Sequence, residues 1–551
     1  MKKCFISYFL IVVLIWSIVY PFNSYAFTRI VDLLFDGKSV EADKIQETLV
    51  TIKKNKLKNA TIKNPAKLKP DKFIIVPARQ KDPKNIQIEI DTSQSIVKSN
   101  EDIQAAISNP AFLNAVSEAI TLWDNVDIAD ISFAPLKFAS AQANPEDGRN
   151  IVTFRAIEAP EGVPDGVASV SIVTYARTDT IMYMNKITMV KPGVILDTDI
   201  IYDPTNNPCL ALHTTGGTIS PGGTNAAIVE GGIDPTLTAD DLANCTTIQA
   251  GDLTDLAVRN IANLLGLESS AIASAASSPV AQIMTRYSLT NDDKLGLANL
   301  YPNPANLTMH GSVKGRVTLN KKPVRGAHVV FEDQTTGEPV VSTITDVAGR
   351  FKINPILEGT YNVYAEPLDG PIRKKAVPRN FFGVTADLNF TTGAFPTPVT
   401  IVNKKNIKLM IEVKELSASA FNINYLTGFL TEADVNNGGG GFFLPIKIMP
   451  GETLMDVQFW GSNINPAFGT LSVSGPGVTI TNVREDKNVS ISSIMSDPPP
   501  DVLPGLKVDI NCAADAVIGP RNIIFTGDQV DMTNPSFGLR DQITGGLFVA
   551  Q

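Results

Sequence analysis

The polar side chains best spaced for chemistry lie in residues 255–270, DLAVRNIANLLGLESS. Arg259 and Asn263 stand one helical turn apart there, with Asn260 beside the first. Polar side chains at this spacing project from one face of a helix and could hold a metal ion or line a cleft. Apolar residues at helical spacing predict that another face of the helix buries against a sheet: Val258, Ile261, Ala262 and Leu265.

The supply of metal ligands decides between those two uses. A catalytic zinc ion takes about three protein ligands, drawn from imidazole, thiolate or carboxylate groups. The whole chain has three His residues, His213, His310 and His328. A guanidinium has no lone pair to donate and repels a cation, and a carboxamide does not accept a proton as a carboxylate does. Zinc is therefore not expected as a cofactor, whereas structural calcium in the loops stays open.

The same stretch resembles the zinc-binding helix of the metzincin proteases, whose motif is H-E-x-x-H-x-x-G-x-x-H. The Leu-Leu-Gly-Leu run around Gly266, where the family's chain turns back, and the following Ser270 resemble the matrixin branch. The positions of the zinc ligands and the general base read Arg259, Asn260, Asn263 and Ser269 here. The resemblance implies a matrixin-like pseudoprotease domain with no catalytic residues.

Segments on both sides of this helix also resemble matrixins, in the family's order. They are residues 122–124 with 131–133, residues 197–200, residues 278–284 and residues 289–301. The third segment resembles the Met-turn, and its Met284 corresponds to the methionine that underlies the metal in the family. Without a metal, we expect Met284 to serve as a core residue. The resemblance covers residues 85–302.

The order of predicted elements indicates an α/β fold for this domain. Alternation predicts strands at residues 86–90, 151–155 and 195–203, the last with Asp197 and Asp199 facing outward. Asn109 and Pro110 predict the N-cap and first turn of a helix. Strands and helices in this order predict a twisted sheet packed against helices.

Length and charge bound the remaining possibilities. A chain of 551 residues is long enough for several domains. Its net charge of −9 argues against nucleic acid or anionic membranes as general partners, because both need clustered Lys and Arg.

The N-terminus predicts export. Residues 1–26 combine early positive charge, an apolar run and a small-residue cleavage site, as in a signal peptide. An uncleaved N-terminal anchor is the competing interpretation. Residues 27–84 are predicted to form a pro-segment or linker, and we expect the protein to be secreted, periplasmic or at the cell surface.

Three Cys residues remain after the predicted cleavage. In an exported protein Cys209 and Cys245, which flank one Gly/Thr/Pro-rich loop, are predicted to pair as a disulfide. Cys512 is then left over in a strand-like run, either as a buried inert thiol or as a reactive one.

The C-terminal half consists of short alternating strands between turn residues, which predicts all-β sandwiches. Residues 308–414 resemble a carboxypeptidase regulatory-like (transthyretin-like) module, with His310 and His328 expected as surface and strand residues. Residues 442–551 resemble an immunoglobulin-like module of bacterial surface proteins. The Gly-rich residues 436–441 are either a linker or an exposed loop. The predicted fold class is therefore multidomain, with an α/β metzincin-like domain followed by all-β sandwich domains.

These observations predict an exported, non-catalytic protein that binds or has a structural role at the cell surface or outside the cell. Extended peptides, held along a sheet edge, and cell-surface proteins are the candidate partners. The alternative is a secreted metal-dependent endopeptidase with atypical ligands, built from His213, Asp197 and Asp199. A third hypothesis is a decoy or inhibitor of active relatives.

Overall fold

The computed structural model describes most of the chain from residue 79 onward. The described residues are 79–91, 110–139, 147–154, 169–175, 180–183, 186–189, 194–202, 210–211, 251–267, 270–278, 288–368, 386–416, 422–427, 445–467, 469–489, 503–527 and 540–550. Several predictions fall outside them: the signal peptide, nearly all of the pro-segment, the Cys209–Cys245 disulfide and the Gly-rich tract at 436–441.

The first domain combines strands with three described helices. Its elements are β1 (Arg79–Gln80), β2 (Glu89–Asp91), α1 (Pro110–Asp124), β3 (Lys137–Ala139), β4 (Asn150–Phe154), β5 (Ser169–Tyr175), β6 (Thr180–Tyr183), β7 (Lys186–Met189), β8 (Val194–Tyr202), β9 (Leu210–Ala211), β10 (Gly251–Asp252), α2 (Leu253–Leu264) and α3 (Asn291–Leu300).

A mixed sheet forms the centre of this domain. Its order is β1-β8-β4-β2-β3, with β5 also paired to β8. The pairs along that order are parallel, and β5 runs antiparallel to β8. Parallel neighbours need a crossover, and α1 lies in the connection between the parallel pair β2 and β3. The strand predicted at residues 86–90 is displaced, because β2 begins at Glu89 and Ile86 forms only an isolated bridge.

Helix α1 buries one apolar face. Val116, Ala119 and Trp123 are at most 1% exposed. The Trp123 indole Nε1 donates a 2.8 Å hydrogen bond to the Val258 carbonyl of α2. Because a buried indole N–H needs an acceptor, this bond fixes how α1 sits along α2.

The prediction that Asp197 and Asp199 face outward from β8 is wrong. Both residues are 0% exposed. Strand β8 lies inside the sheet, with β5 along one side and β4 and β1 along the other, and residues of both its faces are buried. Alternating Ile and Asp in a sequence shows that the two faces of a strand differ, but not that either face meets solvent.

The second domain is a two-sheet β-sandwich, as its turn spacing predicted. Its strands are β11 (His310–Leu319), β12 (Lys322–Pro323), β13 (His328–Asp333), β14 (Pro339–Ile344), β15 (Arg350–Leu357), β16 (Gly359–Glu366), β17 (Phe390–Thr391), β18 (Gly393–Ala394), β19 (Val399–Ile401) and β20 (Asn406–Glu415). One sheet has the order β12-β11-β20-β17 with β15 on β11, and the other has β14-β13-β16-β18 with β19 on β16. Val317, Phe351, Val329 and Val363 of the two sheets bury together in the core.

The third domain is also a β-sandwich. Its strands are β21 (Asn422–Thr427), β22 (Ile446–Ile448), β23 (Thr453–Ser462), β24 (Gly469–Val473), β25 (Val478–Val489), β26 (Leu503–Cys512), β27 (Gly519–Gly527) and β28 (Arg540–Val549). The sheets have the orders β21-β23-β26-β25 and β22-β28-β27-β24.

The third domain starts earlier than the predicted boundary at residue 442. Strand β21 pairs with β23 although it ends at Thr427. The Gly-rich tract therefore connects two strands of the same domain. Cys512 is a free, buried thiol at the end of β26, and burial raises its pKa, which favours the inert thiol over the reactive one.

Buried polar side chains join the second and third domains. Glu366 on β16 accepts hydrogen bonds from Thr544 Oγ1 at 2.7 Å and Gln542 Nε2 at 2.9 Å, both on β28. His328 Nδ1 lies 2.7 Å from the same carboxylate. His328 is thus a strand residue as expected, whereas His310, expected at the surface, is only 8% exposed.

Asn522 on β27 forms the second part of this interface. Its Nδ2 donates to Glu332 Oε2 at 2.5 Å and to the Tyr364 hydroxyl at 3.1 Å. Its Oδ1 accepts from the Gly545 N–H at 2.9 Å. Arg540 completes the group, with its guanidinium 3.2 Å from Glu332 and 5.2 Å from the centre of the Tyr364 ring. All of these partners are satisfied by one another across the two domains.

We expect Asn522→Ala to lower the free energy of unfolding by about 2 kcal/mol, because it leaves the buried Glu332 and Tyr364 with one hydrogen-bond partner fewer and removes the acceptor of the Gly545 N–H. Urea denaturation followed by tryptophan fluorescence measures the change. Asn406→Ala, at an exposed position of β20, is the matched control and should change the value by less than about 0.5 kcal/mol. Equal effects of the two substitutions would contradict the role given to Asn522.

Candidate site on helix α2 and the loop that follows it

Helix α2 ends in the turn that its sequence predicted at Gly266. Gly266 has φ +85°, and its N–H donates to Asn263 O at 2.9 Å. The Leu267 N–H donates to Ala262 O, also at 2.9 Å. This pair of bonds is the Schellman motif, which needs a left-handed residue at the position glycine occupies. The chain therefore reverses immediately after the helix that carries the candidate site.

The C-terminal end of α2 is held by two distant side chains. The Tyr301 hydroxyl donates to Leu265 O at 2.7 Å, and Gln80 Nε2 donates to Leu264 O at 2.6 Å. The Gln80 backbone N–H in turn donates to the Tyr301 hydroxyl at 2.6 Å. These bonds satisfy carbonyls that a helix end leaves without partners. They also link α2 to β1 and to the end of α3.

Asn260 ties α2 to the sheet. It is 1% exposed, and its Oδ1 accepts a 2.9 Å hydrogen bond from Ser171 Oγ on β5. It also hydrogen-bonds the buried Tyr202 phenol on β8, whose pKa burial raises and this bond lowers. A neutral amide with both ends in use holds strands and helix together. Asn260 therefore makes structural contacts at the position where the resemblance would place a proton acceptor.

Arg259 and Asn263 are buried rather than lining an open cleft. Arg259 is 3% exposed and Asn263 is 7% exposed. The apolar face of α2 is buried as predicted, with Val258, Ile261 and Leu265 at most 4% exposed. The helix is therefore enclosed on its polar and apolar sides, and a guanidinium lies where the resemblance would place a metal ligand.

The structure does not bring the other predicted site residues to α2. The Tyr202 side chain is on the face of β8 that meets Asn260. Because side chains alternate along a strand, Asp197 and Asp199 are on the opposite face. Ser269, Met284 and His213 fall outside the described residues. Within the described ranges, no group of three or more His, Cys, Asp or Glu side chains could hold a metal ion.

Asp197 lies instead on the other face of the sheet, beside Asp147. Its Oδ2 accepts from the Gly148 N–H at 2.7 Å. Burial, with the nearby Asp147 carboxyl adding to the effect, raises the pKa of Asp197 to about 7. Arg149, next in the chain, pairs with Glu89 on β2. This cluster joins the starts of β2 and β4 to the middle of β8.

Residues 270–278 form a second feature, which sequence reasoning missed. Every residue of this loop except the partly exposed Ala276 is buried. The Ala273 N–H donates to Thr544 O of the third domain at 2.9 Å, and Ala273 packs in that domain's core. A Cβ built on Gly545 would lie 2.6 Å from both Ile272 and Ser274, so the loop meets β28 at backbone distance. The only sequence signal is that the loop is made of small and polar residues with few charges.

The first turn of α3 fixes this loop in place. Asp293 accepts from the Ala276 and Ser277 N–H groups and from the Ser277 hydroxyl, at 2.9, 3.1 and 2.6 Å. It also forms a capping box with Thr290. Asp293 and its neighbour Asp292 both lie in the first turn of α3. Their burial, at 0% exposure for both Asp292 and Asp293, was not predicted.

Asp292 extends the contact to the second domain. Its Oδ2 accepts from Ser270 Oγ at 2.5 Å, and its Oδ1 accepts from the Ser342 N–H of β14 at 2.7 Å. Burial raises the pKa of Asp292 to about 8; the hydrogen bonds from Ser270 and Ser342 oppose the rise and the charge of Asp293 adds to it. One carboxyl group thus joins α3, the loop and the second domain.

Comparisons with known proteins do not assign this site. No family model matches the chain. No curated protein matches it either. The major pilin SpaD of Corynebacterium diphtheriae is 10% identical, over 44% of this chain and 65% of the pilin, with a TM-score of 0.16. A DUF3823 family protein of Parabacteroides merdae is 13% identical over 40% and 90%, with a TM-score of 0.14. The major pilin subunit BcpA of Bacillus cereus is 11% identical over 44% and 69%, with a TM-score of 0.15. Likenesses this limited carry no inference about function.

We expect Asn260→Ala to lower the free energy of unfolding by about 2 kcal/mol, because Ser171 and Tyr202 would be left buried with one hydrogen-bond partner fewer. Thermal or urea denaturation measures the loss. Asn125→Ala, on the exposed turn after α1, removes the same atoms at the surface and should have little effect. A neutral Asn260→Ala result would show that the amide does not tie α2 to the sheet.

Asp292 should make stability depend on pH. Its folded pKa of about 8 exceeds the unfolded value of about 3.9, so the folded state binds the extra proton and the free energy of unfolding falls as pH rises from about 4 to about 8. Asp292→Asn should remove that part of the slope, because the amide has no proton to lose. Parallel denaturation series at several pH values measure the slopes, with the exposed Asp127→Asn as control. A variant slope equal to that of the unmodified chain would refute the assignment.

Proposed function

We propose that this chain is an exported, non-catalytic protein with a matrixin-like pseudoprotease domain and two β-sandwich modules. Its role is binding or structural, at the cell surface or outside the cell. The observation that carries the proposal is the state of α2. The helix has the Gly266 turn expected of a zinc-protease helix, while Asn260 at the position of the general base is used to hold β5 and β8.

Electrostatics supports the absence of a metal in this proposal. Arg259 keeps its positive charge at every relevant pH and offers no lone pair to a cation. It is buried one turn from Asn263, which as a neutral amide is a poor zinc ligand. Asp197 and Asp199, the acids of the alternative endopeptidase, lie on the opposite face of β8. Among the described residues, the alternative therefore has neither of its acids at α2 to serve as a ligand.

The edge of strand β5 is the surface that would bind a peptide ligand. It runs antiparallel to β8, and in the part of the chain that the structure describes no strand pairs with its other edge. An open edge can add an extended peptide as a further strand. Ser171 on β5 bonds Asn260, so this edge is fixed to the same helix. An extended peptide or a segment of a cell-surface protein is the ligand class that suits it.

We expect the purified chain to contain substoichiometric zinc and to leave a casein substrate uncleaved, with or without chelator. Elemental analysis and a fluorescent casein assay measure the two properties. An active matrixin purified and assayed in parallel provides the positive control. Stoichiometric zinc together with chelator-sensitive cleavage would overturn the non-catalytic proposal and support the atypical endopeptidase.

The matrixin-like scaffold can be tested separately, by restoring the missing zinc ligands. The variant R259H/N263H/S269H should bind about one zinc ion per chain, because the helix and the Gly266 turn would then present three imidazoles to one point. The double variant R259H/N263H is the matched control and should bind zinc much more weakly. A triple variant that keeps the circular dichroism spectrum of the parent but gains no affinity over the double would contradict the scaffold assignment.

A further inference from the structure

The outer face of the second domain's first sheet has positive charges in register across three strands. Lys314 on β11 lies opposite Lys352 on β15 and Lys408 on β20. Two residues further along β11, Arg316 lies opposite Arg350 on β15. Residues in register share one face of a sheet, so all five cations point the same way.

This face is turned to solvent. Lys314, Lys408 and Arg350 are exposed, and Lys352 and Arg316 are partly exposed. Residues that alternate with these cations along the strands are buried in the sandwich core. They include Val313, Val317, Phe351, Ile353, Leu409 and Ile411. Alternation therefore separates a packed inner face from a cationic outer one.

Carboxylates neutralise only part of this charge. Asp346 pairs with Arg350, with a 2.8 Å ion pair, and Glu412 lies on the same face opposite Thr318. Glu412 is held by the Thr318 hydroxyl and by the Lys321 N–H. Among the described residues, no ion pair joins a carboxylate to any of the three lysines that lie in one row, Lys352, Lys314 and Lys408.

Like charges placed directly opposite each other destabilise a sheet. The three lysines repel one another across neighbouring strands, in a chain whose net charge is −9. An anionic ligand lying across the strands would relieve that repulsion. Neighbouring strands are about 4.8 Å apart, which is close to the length of one sugar unit in an extended polysaccharide. A polymer with one carboxylate per sugar therefore matches the row.

We propose that the outer face of β15, β11 and β20 binds an acidic, carboxylate-bearing polysaccharide. The lysine row contacts successive carboxylates as point charges, and Arg316 offers a planar fork to a further one. Nucleic acid fits less well, because single-strand binding surfaces add aromatic platforms and the exposed apolar side chain between these cations is Met410. This site is separate from α2 and holds whether or not the first domain cuts peptides.

Binding of the purified full chain to polygalacturonate at low salt is the test. We expect measurable affinity that weakens as sodium chloride rises, since the contacts are between exposed charges. The variant K314Q/K352Q/K408Q should bind at least about tenfold more weakly, from the loss of three exposed charge contacts. It should melt at the same or a higher temperature than the parent, because it loses the repulsion in the row.

The control variant K81Q/K137Q/K447Q removes the same net charge from the first and third domains and should bind within about twofold of the parent. Neutral dextran should not bind. Equal losses in the two triple variants, or equal binding of dextran, would overturn the proposal. Tighter binding to an oligothymidylate or to phosphatidylglycerol vesicles than to polygalacturonate would also overturn it, in favour of a nucleic acid or a membrane surface.

Discussion

The structure depends on one constraint, the need to satisfy the two carboxylates buried at the start of α3. A buried carboxyl group is costly unless donors surround it. Asp293 takes its donors from the loop at residues 270–278 and from its own N-cap, and Asp292 takes donors from Ser270 and from Ser342 of the second domain. The loop so fixed places Ala273 in the core of the third domain. One helix terminus thereby contributes to contacts among all three domains.

This constraint bears directly on the first domain. The loop begins a few residues after Gly266, so the segment that follows α2 is used for contact between domains. On the other side, Asn260 and Tyr301 bind α2 to the sheet and to α3. Arg259, Asn260 and Asn263 are all buried, so these contacts enclose the polar side of α2 as well as its apolar side.

Sequence reasoning succeeded where the determining contacts are local. Helical spacing placed α2, the resemblance to the metzincin motif placed the turn at Gly266, and period-two alternation with turn residues placed the strands of both sandwiches. It failed where the contacts join distant residues. Asp197 was predicted to face outward because no neighbouring residue in the chain indicates that β8 is covered on both faces. Glu332 and Asn522 are 190 residues apart, and neither neighbourhood indicates that the other exists. Register across strands is equally invisible, so the lysine row could not be anticipated from a net charge of −9.

The polar character of the domain interface has a further consequence. An apolar interface tolerates sliding, whereas hydrogen-bonded pairs such as Glu366 with Thr544 and Glu332 with Asn522 are satisfied in one alignment only. Replacing such groups with apolar ones often costs little stability, so their contribution is better understood as fixing orientation. The sheet that carries the lysine row is opposite the sheet that makes this interface, because β13 and β16 dock on the third domain while β11 and β20 face away. The contacts between the second and third domains are therefore made by the other sheet, and the cationic face keeps its exposed lysines.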